Sequence, residues 1–205
     1  MFRAATVAAC AALTLGPAGS AAQQRGWIAN VNGGYANGIG DNVEGPGSVS
    51  VTGFVYRLVG RNLDLGVEIG YHGLGTSTTR VPDLYGPGST YREDFTRSAW
   101  QATAGVRVRP ATSRVRPYAA AGAGAYLLRI RDVIEVRDAA GEIIPQYRFR
   151  QTDAELHPGV NAGLGVDRLV SLGRLGLGLH ARWHGVIAGS GVADFFTVSL
   201  GLALD

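Results

Sequence analysis

The amino-acid sequence predicts an all-β protein: an eight-stranded antiparallel up-and-down barrel that crosses a membrane with its strands. Three observations carry this. Segments of about 9–11 residues, the length a tilted strand needs to cross hydrocarbon, alternate between apolar and polar-or-glycine positions. The connections between them alternate short and long. Glycine is in large excess, 31 of 205 residues, against a usual level of about 7%. Hydrophobic content of 46% is ordinary, so the glycine does not mark disorder.

The alternation is clearest in "RNLDLGVEIGYHG" (61–73). Leu63, Leu65, Val67, Ile69 and Tyr71 take the odd positions; Asn62, Asp64, Gly66, Glu68, Gly70 and His72 take the even ones. Successive strand side chains point to opposite faces, so one face is apolar and the other is polar or bare backbone. The first element, "WIANVNGGY" (27–35), sets Trp27, Ala29, Val31 and Tyr35 against Ile28, Asn30 and Asn32. In the second, "SVSVTGFVYRL" (48–58), Val49, Val51 and Val55 alternate while Phe54 and Tyr56 take the other register, and a bulge near Gly53 is expected. "WQATAGVRV" (100–108) is the fourth element. "RPYAAAGAGAYLLRI" (116–130), with Tyr118, Tyr126, Leu128 and Ile130 on one parity, is the fifth. "HPGVNAGLGV" (157–166), "RLGLGLHARWH" (174–184) and "FTVSLGLAL" (196–204) complete eight.

Short connections fall near 59–61, 110–114 and 168–173, and long ones at 36–47, 73–97, 131–152 and 185–194. Short turns at one end and long loops at the other are the layout of an outer-membrane barrel, with both termini at the short-turn end. "DAAGEI" in the third long connection is a turn flanked by β-type residues, so that hairpin is expected to extend above the membrane.

Residues 1–22 read as an export signal: Arg3, an apolar run from Ala4 to Leu15, the breaker Gly16-Pro17, then Ser20-Ala21-Ala22. The barrel domain is therefore expected at 23–205. Cys10, the sole cysteine, falls in the signal, leaving an exported chain without disulfides. No segment approaches eighteen consecutive apolar residues, which excludes a transmembrane helix and leaves a barrel open.

The polar face belongs inside. A soluble barrel of the lipocalin type would turn this glycine- and alanine-rich face to water, where β-surfaces favour longer polar side chains. Eight strands leave a narrow lumen that small residues and a few charges suit. With alternating strand directions, Tyr35, Tyr71, Trp100, Trp183 and Phe196 fall near the long-loop end, and Trp27 and Tyr118 near the other. That is the placement of two lipid-facing aromatic girdles. The net charge of +3, carried by arginine without lysine, is scattered and gives no nucleic-acid-binding face.

"RPYAAAGAGAY", "HPGVNAGLGVD" and the terminal "VSLGLAL" resemble small outer-membrane β-barrel proteins of the OmpA transmembrane-domain and OmpW type, over residues 23–205. The resemblance implies a bacterial outer-membrane location, contact with outer-membrane lipid and lipopolysaccharide, and delivery by the barrel-assembly machinery. Two departures stand out. The chain ends Leu204-Asp205, where such proteins often end on an aromatic residue, and it stops at the last strand, without the periplasmic domain of full-length OmpA.

Parity assigns Asp64, Glu68, Arg107, Arg109, His157, His180, Arg182 and His184 to the lumen. Charges there must be paired or solvated. A plugging arginine–carboxylate network is the plain reading, with Glu68 and Arg107, mid-strand on adjacent strands, as the expected pair. A narrow conduit for small solutes is the alternative. His180 and His184 lie about 13 Å apart along one strand at about 3.3 Å per residue, too far to share a zinc ion, so no metal or other cofactor is expected. A lipid A-modifying enzyme would need a nucleophile and base at the outer rim; Ser98 and His184 fall there but on the fourth and seventh strands. "GAGAY" and "GLGVD" complete no G-x-G-x-x-G and open no helix. The expectation is a monomeric, non-enzymatic barrel with a structural or surface-interaction role, taking any extracellular ligand at 73–97 and 131–152, where Asp83, Tyr85, Tyr91, Arg92, Glu93 and Asp94 stand on a Gly/Pro frame.

Overall fold

In the computed structural model, which describes residues 26–39, 46–110, 116–172, 175–189 and 191–204, the alternating segments become eight strands. They are β1 (Trp27–Ile39), β2 (Ser48–Leu58), β3 (Leu63–Pro82), β4 (Thr90–Val108), β5 (Pro117–Arg137), β6 (Phe149–Leu172), β7 (Leu175–Ala188) and β8 (Gly191–Leu204). One turn of 3₁₀ helix, Pro145–Tyr147, precedes β6. Each strand pairs antiparallel with the next, and β1 closes on β8 from Ala29↔Leu204 to Ile39↔Asp194. Closure removes the unpaired edges that make an open sheet impossible in hydrocarbon. The proposed export signal lies outside the described residues.

Polarity is inverted relative to a soluble barrel. Val31, Ile69, Leu164 and Leu200 point outward with 64–67% exposure. Asp64, Arg107 and His184 point inward with none. Among the described residues no helix is long and apolar enough to cross a membrane. β1, β2, β7 and β8, of 11–14 residues, are long enough to cross and little more.

β3 to β6 are longer, at 19–24 residues, and most of the expected loops 73–97 and 131–152 are strand. β2 leaves β3 at Ser50↔His72 and β7 joins β6 only from Gly159↔Val186, so β3–β6 continue outward alone as a four-stranded sheet. About ten further residues per strand carry it about 25 Å beyond the barrel at ordinary strand rise and tilt. Its backbone turns only at 83–89 and 138–148. Asp83, with φ of 58°, anchors the first turn through Gly88 N→Asp83 Oδ1 at 2.6 Å. Asp138 Oδ1 accepts from the amides of Ala140 and Glu142 at 2.9 Å in the second.

No bulge forms at Gly53. The β1–β2 register runs unbroken from Trp27↔Arg57 to Ala36↔Ser48, so Phe54 and Tyr56 point into the lumen, 4% and 2% exposed. The register shifts lie instead between Gly73 and Gly75, where Leu74 turns inward, and between Val166 and Val170.

Candidate functional site

Three layers of side chains fill the lumen. The layer nearest the short turns centres on Arg107, which is fully buried. Its guanidinium donates to Asp64 at 3.0 Å and to Asp167 at 2.8 Å, and lies 4.7 and 4.8 Å from the rings of Tyr56 and Tyr118. Arg109 reaches the same Asp64 at 3.1 Å, and Asn30 Nδ2 donates to Asp167 at 3.0 Å. Two aspartates therefore face two arginines, and each guanidinium edge has a carboxylate while the faces of Arg107 have aromatic rings.

Glu68 governs the middle layer. It pairs with Arg182, not with Arg107, which corrects the expectation from strand adjacency. β3 and β7 stand opposite each other across the barrel, and the lumen is narrow enough for the two side chains to meet. Gln101 Nε2 donates to Glu68 at 3.0 Å and to Thr103 Oγ1 at 3.0 Å; Arg182 donates to Asn161 Oδ1 at 3.3 Å. Because Gln101 spends its amine this way, its oxygen faces His72 Nε2 at 2.8 Å, so that nitrogen carries the proton and Nδ1 accepts from Ser50 Oγ at 2.8 Å.

Toward the outer end the lumen becomes apolar. His184 stacks on Phe195 with centroids 4.3 Å apart and planes 5° from parallel, and lies 4.9 Å from His72. Its ring nitrogens meet Tyr126 Oη at 3.2 Å and Thr197 Oγ1 at 3.4 Å. Ala36, Leu74, Ala99, Tyr126, Val186 and Phe195 then form one packed cluster across the mouth.

His157 is half-buried and pairs with Glu155 at 3.2 Å instead of joining these layers. His180 accepts or donates at Nδ1 with the Tyr118 hydroxyl, and the edge of its ring meets Phe54 at 5.8 Å. Trp27, Tyr35, Tyr71, Trp100, Trp183 and Phe196 point outward, Tyr71 and Trp100 with centroids 5.0 Å apart. Tyr118, expected among the lipid-facing aromatics, lies in the lumen at 5% exposure. Gly165 explains it: a Cβ there would come within 2.6 Å of the Tyr118 ring, so the absent side chain makes the seat. Gly159 seats Tyr126 in the same way, at 2.7 Å.

Asn30, Asn32, His72, Gln101, Asn161 and Asp167 complete the network, and a search for paired charges alone misses most of them. All sit on the polar parity of their segments, Asp167 one residue beyond the 157–166 stretch, and that parity is the signal that finds them. Ser98 shares the parity of outward Trp100 while His184 faces inward, so the two occupy opposite faces of the wall. Among the described residues no group of three or more His, Cys, Asp or Glu is arranged to hold a metal.

The protruding sheet ends in an aromatic cluster. Tyr85 lies 4.7 Å from Tyr147 and 6.4 Å from Tyr91, and Tyr91 donates to Glu93 at 2.9 Å. Desolvation and then the Glu93 carboxylate push the Tyr91 phenol up to about 12. Desolvation raises the Asp94 carboxyl, but hydrogen bonds from Thr78 and Arg92 outweigh it and leave the group below its ordinary value. Asp132 is raised, by desolvation first and by Glu93 second.

An eight-stranded barrel with lipid-facing valines and leucines, a charged interior and one extended end matches, over residues 6–202, the model of the outer membrane protein beta-barrel domain family. The chain belongs to this family. Membership places it in the bacterial outer membrane. No curated protein matches the sequence. Among solved structures it is similar to Neisserial surface protein A, at 13% identity and TM-score 0.45, covering 87% of this chain and 96% of that one. It is also similar to Ail, the attachment invasion locus protein of Yersinia pestis, solved with the heparin analogue sucrose octasulfate: 12% identity, TM-score 0.49, 87% and 99% covered. A major outer membrane protein from Thermus thermophilus is similar at 12% identity and TM-score 0.44, over 87% and 99%.

Proposed function

We propose that this protein is a surface-interaction barrel: a closed membrane anchor that holds a recognition sheet above the outer leaflet. One observation carries the reading. Strands β3–β6 leave the barrel as a self-supporting sheet whose far end exposes Leu84, Tyr85, Tyr147 and Phe149 at 42–54%. Aromatic side chains that are exposed yet held by ring contacts are the residue type that carries binding energy at interfaces, and a hairpin tip is where proteins present it. The filled lumen supports the same reading, since layered ion pairs and an apolar mouth leave transport little room.

Cells displaying the full chain should adhere to a panel of immobilised host matrix proteins and glycans, and Tyr85→Ala with Tyr147→Ala should abolish that adhesion. The heat-modifiable gel mobility of a folded barrel should be unchanged. Adhesion unaffected by the tip substitutions would overturn the reading. Steady single-channel steps in a planar bilayer, abolished by filling the lumen with Gly105→Leu or Gly163→Leu, would replace it with a narrow pore.

A further inference from the structure

The outward face of β4–β6 changes character just above the hydrocarbon band. The register of β5 with both neighbours is unbroken through this region, so Leu127, Arg129 and Arg131 share one face. Successive outward rows read Trp100–Leu127–Leu156, Ser98–Arg129–Ala154, Thr96–Arg131–Thr152 and Asp94–Val133–Arg150. Trp100 and Leu156 are 54% and 70% exposed, as lipid-facing side chains are. Arg129 therefore stands about 7 Å beyond the last apolar row, at the depth of lipid headgroups.

Arg129, Arg131 and Arg150 are all exposed, and among the described residues none of the three has an ion-pair partner. The outward acids nearby are already engaged. Asp94 is held by Arg92 at 2.9 Å and Thr78 at 2.8 Å, and Glu135 lies 3.6 Å from both Arg137 and Arg148. Three cations without counter-charge thus border an apolar wall at the membrane surface.

We infer that Arg129, Arg131 and Arg150 form a docking site for the phosphate groups of an outer-leaflet phosphorylated glycolipid, whose acyl chains lie along Trp100, Leu127 and Leu156. Arg131 and Arg150 are diagonal neighbours across β5–β6, about 7–8 Å apart, close enough to fork onto one phosphate. Arg129, one step further down β5, is placed for a second phosphate nearer the sugar–acyl boundary. Guanidinium planes match phosphate bidentately, and basic side chains at a membrane surface attract anionic headgroups. The inference rests on the barrel's place in the outer membrane and not on the recognition role of the tip.

The test uses the folded full chain in detergent and counts retained lipid by native mass spectrometry. The probes are bisphosphorylated lipid A and the same lipid with both phosphates removed. Wild-type protein should retain the phosphorylated lipid and release the other. Each of Arg129→Gln, Arg131→Gln and Arg150→Gln should weaken retention about fivefold, and the triple variant about a hundredfold. These positions are exposed, so heat-modifiable mobility should not change. Equal retention by wild type and triple variant, equal retention of both lipids, or full displacement by excess inorganic phosphate would each overturn the site. Because only pure lipid is present, failure here leaves the tip reading standing, and Tyr85→Ala should leave lipid retention unchanged.

Discussion

Replacing Arg107 with Met should destabilise the barrel by about 4 kcal/mol, a figure set by the cost of removing the central cation from a buried carboxylate–guanidinium network. Asp64, Asp167, Arg107 and Arg109 form a balanced set of two charges of each sign, with the Arg107 and Asp64 side chains fully buried. Methionine fills much of the same space between the Tyr56 and Tyr118 rings but leaves Asp167 without its 2.8 Å guanidinium partner. Breaking a buried pair by removing one member costs about 3–5 kcal/mol, because the other charge remains desolvated. Sulfur–aromatic contact returns part of the lost cation–π energy, about 0.3–1.5 kcal/mol. Adding Asp167→Asn removes the carboxylate that lost its guanidinium contact and leaves Asp64 with Arg109, so the double variant should recover about 2 kcal/mol. The assay is equilibrium urea unfolding in lipid vesicles, read from the fluorescence of Trp27, Trp100 and Trp183. Penalties that add to within about 0.5 kcal/mol, the behaviour of independent sites, would refute the reasoning. So would a single-variant loss below about 1 kcal/mol, the range of exposed pairs.

Gly165→Ala should cost about 1–3 kcal/mol by overpacking, since its Cβ would stand 2.6 Å from Tyr118 and 2.7 Å from His180 Nδ1. The same change in a Tyr118→Leu background should cost far less, as the same unfolding assay would show. Asp132→Asn should raise the thermal midpoint at neutral pH. Its carboxyl is held above the ordinary value by desolvation and by Glu93, so the carboxyl's contribution is fully present below the unfolded value and lost as pH rises through the folded one. The advantage of Asn should therefore vanish below the ordinary carboxylate range, where aspartate is protonated in both states; an advantage unchanged with pH would contradict the assignment.

Period-two alternation made every membrane-crossing strand legible, because one face meets hydrocarbon and the other does not. The same logic explains what stayed hidden. Above the membrane both faces of β3–β6 meet water, so Thr76, Thr78 and Thr96 carry no alternation to read, although cross-strand threonine contacts such as Thr76 to Thr96 at 3.2 Å hold the sheet. Glu68 and Arg182 meet across the lumen from strands far apart in sequence order, which neighbour reasoning cannot see. At Phe54 and Tyr56 hydrophobicity argues for lipid while parity argues for the lumen, and parity wins; at Tyr118 the apolar parity shared with Leu128 and Ile130 argues for lipid as well, and the structure overrules it. The signal that decides between the two is the glycine opposite. Gly165 and Gly159 lie one strand away from Tyr118 and Tyr126, and each vacancy is the imprint of a ring.

The charged lumen is best understood as a device that fixes register. Buried ion pairs add little net stability over well-packed apolar side chains, and the hydrogen-bonded ladders of a closed barrel would form in several registers. A one-residue slip of β7 would turn Arg182 into lipid, at about 2–4 kcal/mol near the bilayer midplane. It would also strand Glu68 in the lumen at a further cost of about 3–5 kcal/mol. That sum is comparable to the whole stability of an ordinary domain, about 5–15 kcal/mol, so the slipped state is excluded by side chains the backbone does not consult. Gly165 against Tyr118 and Gly159 against Tyr126 impose the same register through shape. A lumen committed to specifying its own wall has its carboxylates and guanidiniums paired with one another, which points ligands outward, to the arginines above the lipid and the tyrosines above them.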